Sequence, residues 1–190
     1  GFDKTLLEFG LRRAQGPDGG ISASHYSYMG GCNGTSNVLG GQLFQLPVKG
    51  THAHAFVQAF HDLYDLKEQR HLNGKDNKKY DFLQLVMEAR EELGFMNTNS
   101  GELAAFTAYA RAFPDGFLAL VDTYDTLQSG VPNFLSVAVA LSRLGYSPVG
   151  IRLDSGDLAY LSRESRELFT ETGKKTGLDF SGLNIAASND

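Results

Sequence analysis

Two apolar runs in the second half of the chain each end in an aspartate and lead into a helical pattern, and this recurrence restricts the fold more than any other feature. Phe117-Leu118-Ala119-Leu120-Val121 ends in Asp122, and Pro148-Val149-Gly150-Ile151-Arg152-Leu153 ends in Asp154. Short runs with little polar alternation are what a strand covered on both faces requires. Phe134 to Leu144 carries apolar residues at helical spacing and stops at Gly145, which suits a glycine C-cap. A second helix is predicted from about Asp157 to Thr172, with Leu158, Leu161, Ser165 and Leu168 on one stripe and the charged residues largely off it. A third strand follows Gly177, in Asn184-Ile185-Ala186-Ala187. The two aspartates lie 32 positions apart (154 − 122), close to the length of one βα unit of about 30 residues. Strand, helix, strand, helix, strand predicts an α/β fold with a parallel sheet.

The first half reads in the same grammar with less regularity. Phe9 to Ala14 and Leu46 to Lys49 are predicted strands. Ile21 to Met29 is a predicted helix, and Asn37 to Phe44 another, opened by Thr35 and Ser36. Residues 61–80 form a polar excursion, read as a surface insertion. Phe82 to Leu93 and Glu102 to Phe113 are helical patterns, with Ser100 and Gly101 placed to open the second. No low-complexity tract or domain boundary divides residues 1–190, so one domain is expected. The chain starts without methionine and finishes as a strand reaches its polar end, which predicts an excised piece of a longer protein.

Composition narrows the partners. A chain of 190 residues with 42% hydrophobic content suits a real core, and a net charge of -5 gives no electrostatic case for nucleic acid or an anionic membrane. No apolar run reaches bilayer length, and no signal-peptide pattern stands at the front. The single cysteine, Cys32, excludes an intrachain disulfide framework, is compatible with the cytosol and has no base partner in sequence, so it reads as a bystander thiol.

The chemistry is expected at Gly50-Thr51-His52-Ala53-His54, where a strand end delivers two imidazoles. Histidine can act as nucleophile, acid, base or metal ligand, and the spacing alone leaves these open beside an ordinary polar role. If the strands belong to one parallel barrel, their C-terminal ends open on one face. Arg12, Thr51, His52, His54, Asp122, Arg152, Asp154 and Asp190 would then ring one mouth. Carboxylates beside arginines suit a substrate bearing hydroxyls, phosphates and a divalent cation; a plain ion pair between Arg152 and Asp154, two apart on one strand, is the alternative. Gly16-Pro17-Asp18-Gly19-Gly20 is turn chemistry. Gly34-Thr35-Ser36-Asn37 can either cap a helix or hold an anion at its amides, and Asp154-Ser155-Gly156-Asp157 can cap a helix while presenting Asp154.

These blocks, in this order, resemble the nicotinate phosphoribosyltransferases of animal type. The resemblance runs through Glu8-Phe9-Gly10-Leu11-Arg12-Arg13, Thr35-Ser36-Asn37-Val38, Gly50-Thr51-His52-Ala53-His54, Asp122-Thr123-Tyr124, Gly130-Val131-Pro132-Asn133-Phe134 and Arg152-Leu153-Asp154-Ser155-Gly156-Asp157, and covers essentially the whole chain. It implies part of an irregular parallel (β/α) barrel of the type II phosphoribosyltransferase kind. An N-terminal domain and the later strands with their phosphate-binding glycine loops are expected outside residues 1–190. The implied reaction is ATP-assisted condensation of nicotinate with phosphoribosyl pyrophosphate to nicotinate mononucleotide, for NAD synthesis, by a cytosolic homodimer. ATP is then a co-substrate and Mg²⁺ or Mn²⁺ the cofactor.

Residue by residue, the resemblance makes His54 the phosphorylated histidine, while His52 falls on a variable position. Thr51, Arg152 and Arg12 match residues at the nicotinate pocket, and Phe9 an aromatic that stacks on the pyridine ring. Asp122 and Asp154 match acids near the ribose and its metal, which they would meet through water or substrate. Ser36 stands where nicotinamide-using relatives carry an aspartate, and its lack of charge favours a carboxylate substrate. The alternatives are a nicotinamide-using relative and a non-catalytic fragment that only pairs with full-length subunits.

Overall fold

A computed structural model describes residues 4–188. The chain falls into two compact units divided between Thr51 and His52, a division without any signal in sequence, and each is described by itself.

In the first unit, strand β1 (Leu7–Glu8) pairs in parallel with β2 (Gly34–Thr35), and Val48 adds one further bridge to Thr35. Helix α1 spans Gly16–Met29, and the shorter α2 spans Val38–Phe44. The predicted strand from Phe9 to Ala14 is therefore displaced. Pairing occupies only the two residues before Phe9, and the Arg13 N–H donates to Gly10 O at 2.9 Å, turning Leu11–Arg13 into a 3₁₀ turn. Pro17, whose fixed φ and missing N–H cost nothing in a first turn, lets α1 begin before Ile21. The Asn37 side chain accepts the Gly40 N–H at 3.0 Å and so caps α2, while the Thr35 hydroxyl accepts the Asn37 N–H. Among the described residues of this unit Leu46 is the one buried hydrophobic side chain, and polar contacts hold the unit instead: Glu8 Oε2 accepts from Ser24 Oγ (2.9 Å) and Thr35 Oγ1 (2.5 Å).

The second unit carries the apolar core. Helix α3 (His54–Gln58) is followed by a 3₁₀ turn at Leu63–Leu66 and an antiparallel hairpin, β3 (His71–Asn73) with β4 (Lys79–Asp81). The polar excursion is thus partly anchored: Leu66 is buried, and Leu72 and Tyr80 pack against the core. Helix α4 (Phe82–Leu93) is capped by Asp81 and ends at Gly94, and α5 (Ser100–Ala112) is capped by Asn99. Strand β5 (Leu118–Leu120) leads through a π-turn, Thr126–Gly130, into α6 (Val131–Arg143); β6 (Gly150–Leu153), α7 (Leu158–Thr176) and β7 (Asn184–Ala187) complete the run.

The three strands are parallel in the order β5-β6-β7, with Leu120 opposite Arg152 and Arg152 opposite Ala186. The strand–helix recurrence read from the sequence is therefore an α/β arrangement in fact. Residues Val131–Leu141 of α6 are all buried, so this helix is apolar all round. The Phe134 ring lies 5.2 Å from Phe117 and 6.0 Å from Phe169, tying β5, α6 and α7 together. Each fully buried ring contributes roughly 1.5–3 kcal/mol. Gly150 begins β6 at φ +150°, and a Cβ there would stand 2.0 Å from Asn184 O, so only glycine allows β6 to start against β7.

Candidate active site

Parallel pairing in register places Asp122 and Asp154 just beyond the C-terminal ends of neighbouring strands. Asp122 Oδ2 accepts the Asp154 N–H at 3.0 Å and Ser155 Oγ at 2.6 Å. The first bond joins the two loops, so the carboxylate of one strand end fixes the backbone of the next. Asp122 is 3% exposed in its side chain, and its Oδ1 is buried without a hydrogen-bond donor. Asp154 Oδ1 accepts from Ser188 Oγ, just past the end of β7, and its Oδ2 lies 3.6 Å from Arg152 Nη2.

His54 opens α3 and faces this pair. Its Nε2 is 3.6 Å from Asp154 Oδ2 and 3.9 Å from Asp122 Oδ1, and its Nδ1 is 3.1 Å from Thr123 Oγ1. The imidazole is 38% exposed, open enough for a reacting group to reach it. Between two carboxylates, a proton leaving the ring has an acceptor, and positive charge forming nearby has a counter-charge. The Arg152–Asp154 ion pair read as an alternative is present, but the same carboxylate also faces His54, so the two readings coexist.

His52, two residues earlier, does not join the acidic face. It is 8% exposed, its Nε2 accepts the Leu120 N–H at 3.1 Å, and its ring packs 4.9 Å from Tyr109, 5.5 Å from Phe56 and 5.7 Å from Phe106. Desolvation lowers its pKa to about 4. It is a neutral structural imidazole that satisfies a strand amide. Extended backbone throughout would put residues two apart on one face, but the chain passes from extended Ala53 (φ -103°, ψ 164°) into α3 at His54, and this change of backbone direction separates the two rings.

Phe9, Arg12, Ser36 and Thr51 belong to the first unit. Phe9 and Ser36 are half-buried, and the Ser36 N–H donates to Glu8 O at 2.9 Å. Arg12 is exposed in its 3₁₀ turn, and Thr51 is half-buried. Asp190 lies outside the described residues.

Three hydroxyls completing the acidic face escaped the sequence reading as site residues: Thr123, Ser155 and Ser188. They follow the strands at unequal distances, Thr123 after β5, Ser155 after β6 and Ser188 directly after β7, so position in the sequence held no common signal for them. Among the described residues, no group of three or more His, Cys, Asp or Glu side chains is placed to hold a metal, and no helix is long and apolar enough to cross a membrane.

No family model matches the chain. Curated relatives do. The nicotinate phosphoribosyltransferase of Dictyostelium discoideum is 54% identical over 191 aligned residues, covering 100% of this chain and 32% of the relative. Nicotinate phosphoribosyltransferase 1 of Arabidopsis thaliana is 52% identical, covering 100% and 36%. Among solved structures, human nicotinic acid phosphoribosyltransferase superposes with a TM-score of 0.90 at 44% identity, over 100% of this chain and 40% of that one. The chain thus spans about a third of the length of the curated relatives it matches.

Proposed function

We propose that the chain, similar over its whole length to nicotinate phosphoribosyltransferases, belongs to that family and carries the phosphoryl-accepting and ribose-facing part of an enzyme making nicotinate mononucleotide. The substrates are nicotinate and phosphoribosyl pyrophosphate, with ATP hydrolysed alongside, and the product feeds NAD synthesis. The observation that carries this reading is His54 Nε2 within 4 Å of both Asp154 and Asp122 on adjacent strand ends.

In this reading an imidazole nitrogen of His54 attacks the γ-phosphorus of ATP. The N–P bond forms as the P–O bond to ADP breaks, and the ring proton passes to solvent or to a neighbouring carboxylate. The phosphoramidate is labile, so its hydrolysis can drive a conformational or binding step. Asp122 and Asp154 then face the oxocarbenium-like charge that develops on ribose as pyrophosphate leaves. Arg152 supplies a guanidinium for the nicotinate carboxylate, and Arg12, Thr51, Ser36 and Phe9 of the first unit are read as nicotinate-binding residues from the resemblance. No side chain is needed as a base toward nicotinate, whose ring nitrogen carries its own lone pair.

A divalent cation fits these residues. Asp122 Oδ1 is a buried hard donor lacking a hydrogen bond, with Asp154 beside it, and Mg²⁺ characteristically takes one or two carboxylates and completes its shell from water and substrate phosphates. Bound there, Mg²⁺ or Mn²⁺ would neutralise charge on the departing pyrophosphate. We place the full-length protein in the cytosol as a homodimer, a reading with which the unpaired Cys32 is compatible.

The decisive test is labelling of the full-length polypeptide with ATP tagged at the γ-phosphate. His54→Ala should abolish label and the ATP-dependent rate; label persisting in this variant would remove His54 from the role. Substrate choice is tested by Ser36→Asp, which should lower kcat/KM for nicotinate relative to nicotinamide, because a like charge in a partly desolvated pocket costs roughly 1–3 kcal/mol. An unchanged ratio would mean that Ser36 does not face the ring substituent.

A further inference from the structure

Glu102, in the first turn of α5, is wholly buried, yet no lysine, arginine or histidine pairs with it among the described residues. Its Oε2 accepts from Ser129 Oγ at 2.6 Å and from Asn133 Nδ2 at 3.0 Å, both neutral donors. Those partners also hold the preceding turn: the Asn99 N–H donates to Ser129 Oγ at 2.9 Å, and Asn133 Nδ2 donates to Asn99 O at 3.0 Å. Two acceptors in this cluster, Glu102 Oε1 and Asn133 Oδ1, are buried and lack any hydrogen-bond donor. An ionised carboxylate would leave a charge in a dry site, at a cost of several kcal/mol. A proton on Glu102 removes that charge and turns one orphaned acceptor into a donor.

The cluster also holds something costly. Ser129 closes the π-turn Thr126–Gly130, and Asn133 lies in the first turn of α6. A Cβ at Gly130 would stand 1.8 Å from Val121 O, so the backbone at this junction presses directly on the end of β5, one residue before Asp122. π-turns are rare and occur frequently at functional sites. We propose that Glu102 is a positioning residue that, through Ser129 and Asn133, clamps the Asn99 turn to the π-turn against which the Asp122 strand end is seated.

The electrostatics agree. Burial pushes the Glu102 carboxyl up to about 7, opposed by the Ser129 and Asn133 hydrogen bonds and reinforced by the like charges of Asp125 and Asp122. Because the folded value lies above the unfolded one, the proton's contribution to stability is full below the unfolded carboxylate range. It is lost progressively as pH rises through about 7. The clamp therefore weakens on the alkaline side.

Testing uses the full-length polypeptide, its Glu102→Gln and Glu102→Ala variants, and two readouts independent of the enzymatic reading: unfolding midpoint, and hydrogen exchange at the 127–133 amides. Between about pH 6 and about pH 8.5, the unmodified protein should lose stability, and exchange at these amides should rise roughly tenfold beyond its intrinsic pH dependence. Glu102→Gln, whose amide NH₂ can donate where the proton stood, should match the unmodified protein at the acid end and abolish both trends. Glu102→Ala should be destabilised throughout. A glutamine variant as unstable as the alanine one near pH 6, or one retaining both trends, overturns the proposal. A flattened stability curve with unchanged exchange at 127–133 equally overturns the clamp. The activity reading can fail separately, on the His54 labelling result, without altering these outcomes.

Discussion

The dry pocket behind β5 and the acidic face at the ends of β5 and β6 receive histidines only two residues apart, and they make opposite chemistry of the same side chain. His52 is sealed among Phe56, Phe106 and Tyr109 and accepts one strand amide. His54 is 38% exposed and stands before two carboxylates and a threonine hydroxyl. Burial without a counter-charge drives an imidazole toward permanent neutrality, whereas an imidazole open to solvent beside carboxylates can be reached by a reacting group. Residue type and spacing could not separate the two; their surroundings do.

The sharpest way to break the contrast is to remove the acid that distinguishes the second region. Asp122→Asn keeps the shape and the acceptor toward the Asp154 N–H, but it removes charge facing His54 and, in the proposed reaction, facing the ribose. Loss of one such electrostatic partner in a desolvated site corresponds to about 10²–10³ in kcat. Steady-state kinetics of the full-length enzyme would check it, and a variant within about threefold of the parent would show that the acidic face is a hydrogen-bond scaffold only.

The pocket around His52 should respond in stability instead of chemistry. Its folded pKa, lowered to about 4 by desolvation, lies beneath its unfolded value. The stabilisation is therefore complete above about pH 6.5 and is lost as pH falls toward about 4, amounting to roughly 3 kcal/mol. His52→Leu should flatten that acid-side slope, cost about 1–3 kcal/mol at neutral pH by stranding the Leu120 N–H, and leave His54 labelling intact. Unfolding midpoints across that pH range decide it, and an unchanged slope would mean that His52 titrates normally.

Legibility in the sequence followed burial. Strands β5 and β6 and helices α6 and α7 announced themselves because elements covered on several sides leave continuous apolar runs or stripes, and Asp122 and Asp154 marked their polar ends. Strands β1 and β2 pair over two residues each and leave no run to detect, so the strand expected at Phe9 to Ala14 was misplaced onto a 3₁₀ turn. The π-turn before α6 was invisible because it depends on Glu102, Ser129 and Gly130, which meet only after folding. The same holds for His52, whose partner amide lies 68 positions away in the chain. The nucleophile candidate and its acids were legible by type and position. The hydroxyls that orient them were not, since serine and threonine are common in turns for local reasons.

Thr123 offers the mildest perturbation of the acidic face. Its Oγ1 is 3.1 Å from His54 Nδ1 and links the ring to the loop that carries Asp122. Thr123→Val preserves the β-branched shape while deleting the hydroxyl, so the imidazole loses one orienting hydrogen bond of about 1 kcal/mol. That converts to roughly fivefold in the ATP-dependent rate. The loss should fall on labelling of His54 and leave KM for nicotinate unmoved, because a misoriented ring slows phosphoryl acceptance without touching the pocket for the pyridine. Thr123→Ser should restore the rate. Rapid-quench measurement of label transfer separates the two steps, and a valine variant labelled at the parental rate would show that the two carboxylates alone orient His54.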